Sequence, residues 1–214
     1  MSATAGNVEW FTTVSAYSLG FVSGIGVIAY LSAKAFLPKR ATSTDRFTWI
    51  WLTFDALVHF SFEAVFLYYS VFGKQIATSD GILPEMVREY ARADLRWAVA
   101  DPTVVSLEIL TVLGAGPMAV YILKQLAADD LARHYWIVVL CTAELYGGWM
   151  TFCPEWLTGS PSLVTSNPLY LWVYLTFMNV IWVVIPLGLM VDSYKHIAGA
   201  LRTAQAVKRS VKSE

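Results

Sequence analysis

The chain has 214 residues, of which 57% are hydrophobic, 14% aromatic and only 14% charged, with fifteen Lys and Arg against sixteen Asp and Glu. Soluble domains carry about a quarter charged residues, so this composition excludes an ordinary water-soluble globule, and a formal charge of −1 leaves no basic excess with which to hold nucleic acid. Two cysteines, Cys141 and Cys153, are too few for a disulfide framework or a zinc site and are expected to stay reduced.

Residues 1–9 read as a short lead, expected on the lumenal side. Five apolar stretches follow, each near the roughly 20 residues that span a bilayer core as a helix. They are Trp10 to Ala33, Phe47 to Phe72, Thr103 to Leu123, Tyr135 to Phe152 and Leu169 to Val191, the fourth being the shortest. A chain crossing lipid must satisfy its backbone internally, and no period-2 alternation argues for a barrel. The expected fold is therefore an all-α integral membrane bundle of five transmembrane helices, covering residues 10–197, around an internal hydrophobic cavity. The first 33 residues hold no Lys or Arg. They lack the basic start of a cleavable signal peptide, so the first stretch is expected to remain in the membrane.

Between the second and third stretches, residues 73–101 form the one long polar connection, with a short helix expected from Pro84 through Arg92 and a role as a solvated cap or a lid. Orientation follows from the cations. Lys34, Lys39, Arg40, Arg46, Lys124, Arg133, Lys195, Arg202, Lys208, Arg209 and Lys212 fall on one side, against Lys74, Arg88, Arg92 and Arg96 on the other. The positive-inside rule then puts the N-terminus outside, in the lumen, and residues 198–214 inside as a frayed basic tail near anionic lipid.

Ionisable groups inside these stretches are costly, at least ~2.5 to 3.5 kcal/mol each on insertion scales, and so mark candidate sites. Asp55, His59 and Glu63 are spaced i, i+4 and i+8, which puts them on one stripe of the second helix, facing the bundle interior. The third helix carries Glu108 with Thr111 one turn on, the fourth carries Glu144, and the fifth carries Asn179 and Trp182 three residues apart. Carboxyls and an imidazole in one dry pocket supply both a proton donor and a proton acceptor, the minimum for shifting a double bond. Asn179 suits orienting a carboxyl or holding substrate, and the Trp182 ring offers a negative π face to a cation. No phosphate loop, nucleophile elbow or His pair at metal spacing is present. His134 and His196 sit at the tail side, so neither a metal nor a cofactor is expected. Gly114, Gly116 and Pro117, and Pro186 with Gly188, read as places of close helix packing or kinking, and Gly20 and Gly24 as a GxxxG spacing on which a homodimer could form.

Several of these residues fall in strings that match one family. Ala56-Leu57-Val58-His59-Phe60-Ser61-Phe62-Glu63, Glu89-Tyr90-Ala91-Arg92-Ala93-Asp94, Leu107-Glu108-Ile109-Leu110-Thr111, Glu144-Leu145-Tyr146-Gly147, Asn167-Pro168-Leu169-Tyr170 and Phe177-Met178-Asn179-Val180-Ile181-Trp182 together resemble, in the same order, the emopamil-binding protein family over residues 48–197. The resemblance implies a multi-pass protein of the endoplasmic reticulum membrane that shifts a sterol double bond from Δ8 to Δ7 through a carbocation, with no cofactor. It implies His59, Glu63, Glu108 and Asn179 as catalytic residues, and Trp182, Thr111, Asp55, Glu144, Tyr90 and Tyr146 as residues around the substrate. Three positions depart from the pattern: Asp55 stands where a small or apolar residue is expected, Glu144 where the isomerase has an amide, and Gly148 where an acid is usual. An altered acid set leaves open a second reading, a relative that isomerises, cyclises or rearranges a terpenoid, and a third, a sterol or lipid binder without catalysis.

Overall fold

A computed structural model describes residues 10–213, so the lead 1–9 and Glu214 lie outside the described residues. Five helices are long and apolar enough to cross a membrane: α1 (Thr13–Phe36), α2 (Ser43–Val71), α4 (Pro102–Ala127), α5 (Arg133–Leu157) and α6 (Leu169–Phe177 continuing as Met178–Ser213), with α3 (Ile82–Ala91) lying in the long connection. Among the described residues there is no strand, only one isolated bridge between Asp94 and Leu163. The molecule is an all-α membrane bundle. The fourth span, the shortest apolar run in the sequence, is a full helix of 25 residues.

Polar side chains fix where the helices begin. Thr42 and Asp45 cap α2 reciprocally, the Asp45 amide donating to Thr42 Oγ1 at 3.0 Å and the Thr42 amide to Asp45 Oδ2 at 3.0 Å. Asp101 Oδ1 accepts from the Thr103 amide at 2.9 Å, and Pro102, which has no N–H to lose, occupies the first turn of α4. The tail departs from expectation. Instead of fraying, α6 runs unbroken to Ser213, and its exposed basic residues ride on a regular helix.

Two hydrophobic clusters divide the interior. Toward the tail end, Trp51, Leu52 and Ala56 of α2 pack with Ala119 and Ile122 of α4, Ile137 and Leu140 of α5 and Leu189 of α6. Toward the other end, Phe66 of α2 packs with Val87 and Ala91 of α3, Trp97 and Val104. Residues 73–101 thus form a cap whose core is shared with α2 and α4. The site residues of α2 and α4 fall between the two clusters. Outward faces such as Val27, Leu31, Leu113, Val184 and Leu187 are exposed and apolar, as lipid contact requires.

Neither α2 nor α4 is a plain α-helix. Each contains a π-helical turn, His59–Glu63 in α2 and Thr111–Ala115 in α4, and α6 starts with a longer π-helical stretch, Leu169–Phe177. The turns of α2 and α4 lie against each other. Gly116 closes the second turn, and a methyl group there would come within 2.9 Å of Phe60 Cζ and 3.3 Å of His59 Cβ, so glycine is what allows the two turns to meet. Gly20, Gly24, Gly114 and Gly188 have no neighbour within 4 Å of such a group, so the packing expected at Gly114 and Gly188 is absent, and the glycine spacing of α1 is unused within the subunit.

Candidate active site

A π turn holds one residue more than an α turn, and such turns recur at functional sites because they re-aim the side chains on either side. Here the turn starts at His59. The imidazole reaches one way to Glu63 Oε2, 2.6 Å from its Nδ1, and the other way to Asp55 Oδ1, 3.2 Å from its Nε2. The stripe expected from the i, i+4, i+8 spacing is present, hydrogen-bonded between His59 and Glu63 and in ion-pair distance, without a formed hydrogen bond at Nε2, between His59 and Asp55. Asp55 Oδ1 also accepts from Trp182 Nε1 at 2.9 Å, which fixes the indole of α6 to α2.

On the Glu63 side the chain crosses to α4. Glu63 and Glu108 are in hydrogen-bond reach of each other, and Thr111 Oγ1 donates to Glu108 Oε2 at 2.9 Å. Two carboxyls so placed in a dry cleft hold a proton between them, since a doubly ionised pair would set like charges together where water cannot screen them. On the Asp55 side, Glu144 of α5 approaches: oxygen and nitrogen atoms of Asp55, His59 and Glu144 lie within 4.8 Å of one another. Both Glu144 oxygens are buried without a hydrogen-bond partner.

These groups open onto a cavity of about 1050 Å³, lined by His59, Glu63, Glu108, Thr111, Glu144, Tyr90, Asn179 and Trp182 among mostly apolar side chains. The volume is at the upper end of the roughly 300–1,000 Å³ of ligand pockets, and the lining, apolar with a few convergent polar groups, is that of a site for a large hydrophobic molecule. The Trp182 ring stands in its wall, backed by Trp51 at 5.1 Å and Phe54 at 5.7 Å between centroids.

The remaining expected residues divide. Asn179 engages none of the carboxyls. Its Nδ2 donates to the Tyr174 carbonyl at 2.9 Å and the Leu175 carbonyl at 3.1 Å, and approaches the Tyr90 hydroxyl at 3.4 Å, so it secures the π-helical start of α6 and joins it to the cap. Tyr90 lies at the cavity's cap end between Phe62 and Trp97, and burial pushes its phenol above the ordinary range, which keeps it a neutral hydroxyl. Asp55, expected against the substrate, is fully buried behind His59 and Trp182 and does not face the cavity. Tyr146 is 64% exposed on the cavity rim and makes none of the cluster's polar contacts.

Residues near the cap that sequence spacing did not single out also shape the pocket. Glu89, wholly buried, accepts from Ser15 Oγ of α1 at 2.6 Å and from the Tyr174 hydroxyl of α6 at 3.2 Å, and pairs with Arg92 at 3.2 Å. Arg96 pairs with Asp94 at 2.6 Å, approaches Glu155 of α5 at 3.8 Å and donates to the Thr151 carbonyl at 2.6 Å. Burial opposes the charge on Arg96, yet the hydrogen bonds and charge of Asp94 hold the guanidinium above its usual range. The only signal for these ties was the acid-base string Glu89 to Arg96 itself.

Among the described residues, two groups present donor atoms close enough for a metal ion, Asp55 with His59 and Glu144, and His134 with Asp192 and His196. The second pairing was not legible from spacing, because His134 and His196 come from different helices. Their rings stack face to face, 4.1 Å between centroids and 10° apart, so the in-plane lone pairs do not converge. In the first group His59 Nδ1 is hydrogen-bonded to Glu63, while Nε2 lies 3.2 Å from Asp55 Oδ1.

Comparison with known proteins adds an independent line. The profile of the EXPERA (EXPanded EBP) superfamily matches residues 82–193, a range that leaves out α1 and α2. The 3-beta-hydroxysteroid-Delta(8),Delta(7)-isomerase of Cavia porcellus is 30% identical over 77% of this chain and 72% of its own length. The probable 3-beta-hydroxysteroid-Delta(8),Delta(7)-isomerase of Oryza sativa subsp. japonica is 27% identical over 82% and 84%. Isomeliandiol synthase MOI2 of Melia azedarach is 25% identical over 75% and 74%.

Proposed function

We propose a function from one premise: this chain belongs to the EXPERA (EXPanded EBP) superfamily. On that premise it is a membrane isomerase that moves a double bond in a sterol, from Δ8 to Δ7, by protonation to a carbocation followed by deprotonation. The observation that carries this reading is the group Glu108, Glu63 and His59, which faces an apolar cavity in the middle of the bundle with Asp55 behind it. Protonating an isolated alkene takes an acid held away from water, with fixed negative charge and a π face ready for the cation.

In this reading Glu108 gives up the proton that it shares with Glu63, at the point where a ring alkene would lie. The ionised carboxylate left behind and the Trp182 face hold the cation, and Thr111 aims the Glu108 carboxyl. Tyr90 and Asn179 set the far wall, which limits how deep the polycycle can enter. His59, hydrogen-bonded to Glu63 at Nδ1 and near Asp55 at Nε2, restores the proton after each turnover. The step needs no external cofactor, and the substrate enters from the bilayer. The protein is assigned to the endoplasmic reticulum membrane with its N-terminus lumenal, in keeping with the distribution of Lys and Arg.

A second reading, a diverged relative acting on a triterpenoid, is favoured by one observation. Glu144 adds to the pocket an acid that the isomerase pattern does not carry, and isomeliandiol synthase is among the relatives. Membranes containing the protein, incubated with a Δ8-sterol in deuterated water, separate the two. Deuterium in a Δ7 product supports sterol isomerisation. Binding of the sterol with no turnover overturns it, and turnover of a triterpenoid by the same membranes then supports the second reading.

A further inference from the structure

We infer that Glu144 holds a proton and donates it as a hydrogen bond to Asp55, and that this buried acid pair positions the His59 imidazole and the Trp182 indole from behind. Glu144 is then a positioning residue that acts through Asp55. The pair stands whichever substrate is turned over, whereas its effect on rate rests on the isomerase reading above and deepens it.

The two oxygens of Asp55 are used unequally. Oδ1 accepts from Trp182 Nε1 at 2.9 Å and lies 3.2 Å from His59 Nε2, while Oδ2 is buried without a hydrogen-bond partner. Glu144 comes from α5, a different helix from the other acids of the site, and both its oxygens are buried with no donor facing them among the described residues. The two carboxyls are in hydrogen-bond reach of each other. The basic group beside them is the His59 imidazole, with Glu63 beyond it, and α5 adds the buried thiol of Cys141. An acid tied down by ordinary partners looks different, as Glu89 does with two hydroxyl donors and an arginine.

Ionised carboxylates only accept hydrogen bonds, so two of them side by side cannot satisfy each other, and in a dry interior their charges repel. One proton changes the sign of the contact. It turns the repulsion into a hydrogen bond from a carboxylic acid to a carboxylate, one of the short and strong kind, and gives each acid a partner. The proton belongs on Glu144, because Asp55 already accepts from the indole and lies beside the imidazole, and both contacts favour its charged form. A single negative charge then stands behind His59.

What the pair holds is the geometry of the site. The Trp182 ring forms part of the cavity wall, and the imidazole meets Glu63. Both take their place from one carboxylate, and Glu144 stops that carboxylate from turning. A glutamine has nearly the shape of a protonated glutamate and offers an N–H to the same acceptor, whereas a leucine fills the space and donates nothing.

The test has two arms on the full-length protein. Infrared spectra in lipid nanodiscs, with exchange into deuterated water, are expected to show the carbonyl stretch of a protonated carboxyl that Glu144→Gln removes. An unchanged carbonyl region in that variant overturns the inference. So does one equivalent of a divalent metal in the purified protein that Glu144→Gln releases, since it would assign the unpartnered lone pairs to an ion. In native membranes with a Δ8-sterol, Glu144→Gln is expected to keep turnover within ~3-fold of wild type, because the amide N–H replaces the O–H. Glu144→Leu is expected to lower kcat by ~10-fold or more with KM within ~3-fold, because reacting groups out of register cost rate. Equal turnover in the Gln and Leu variants, high or low, overturns the inference. Absence of sterol turnover in the wild type fails the isomerase reading instead, and the infrared arm still decides the pair.

Discussion

Buried carboxylates occur in two regions of this molecule, and their surroundings differ. At the cap, Glu89, Asp94 and Glu155 are each met by an arginine, with hydroxyl or backbone donors added: Ser15 and Tyr174 on Glu89, the Arg96 amide on Asp94, the Ser162 amide on Glu155. In the middle of the bundle, Asp55, Glu63, Glu108 and Glu144 share one imidazole, one threonine hydroxyl and one indole N–H. Carboxylates met by arginine lock a shape, because moving either member strands its partner. Under-matched acids have protons to exchange and lone pairs left for a guest. The difference separates holding the pocket from working in it.

Exchanging the two kinds of damage tests that separation. The largest effect on stability is expected at Arg96. Its replacement by Ala leaves Asp94 and Glu155 buried without their cation, and breaking such a pair costs about 3–5 kcal/mol, to be read as a lowered unfolding temperature in detergent or as lost folded yield. Glu108→Gln is expected to do the reverse, with turnover down ~100-fold or more and the unfolding temperature nearly unchanged. If Glu108→Gln proves as destabilising as Arg96→Ala, the mid-bundle acids are structural and the contrast collapses. Gly116→Ala falls between the two, since overpacking costs about 1–3 kcal/mol and the displaced atoms belong to Phe60 and His59, so the rate should drop by more than the stability loss explains. The smallest effect is expected at Tyr90→Phe. Burial keeps that phenol protonated, so the variant should lose less than ~10-fold in rate and leave the alkaline limb of the pH profile where it was.

Much of this was legible in the sequence, for specific physical reasons. Hydropathy found five spans because a membrane tolerates few alternatives, although the helix starts at Thr13, Ser43 and Pro102 were set by caps and a proline rather than by where apolarity begins. The spacing of Asp55, His59 and Glu63 showed the stripe, because residues four apart meet on a helix. It did not show that Asp55 faces away from the cavity, since burial of one member depends on Trp182, far along the chain. The π turns were invisible: a single extra residue per turn leaves the hydropathy of the segment unchanged. The cap's ties were hidden because Ser15, Glu89, Glu155 and Tyr174 lie on four separate elements. The helical tail was misread from its charge, which describes its solvation and not its backbone.

The π turn at His59–Glu63 makes the site sensitive to the length of the chain at that place. Deleting one residue from those five would let the helix relax to ordinary winding with the flanking segments on nearly the same faces, because the π turn is where the extra residue is absorbed, and it would cut the spacing of His59 and Glu63 from four residues to three. The span would still be long and greasy enough to insert, and the other four helices could still assemble around it. The imidazole would be re-aimed away from Glu63, so a one-codon loss at this place is expected to leave a bundle that still inserts and packs but lacks the 2.6 Å contact between His59 and Glu63.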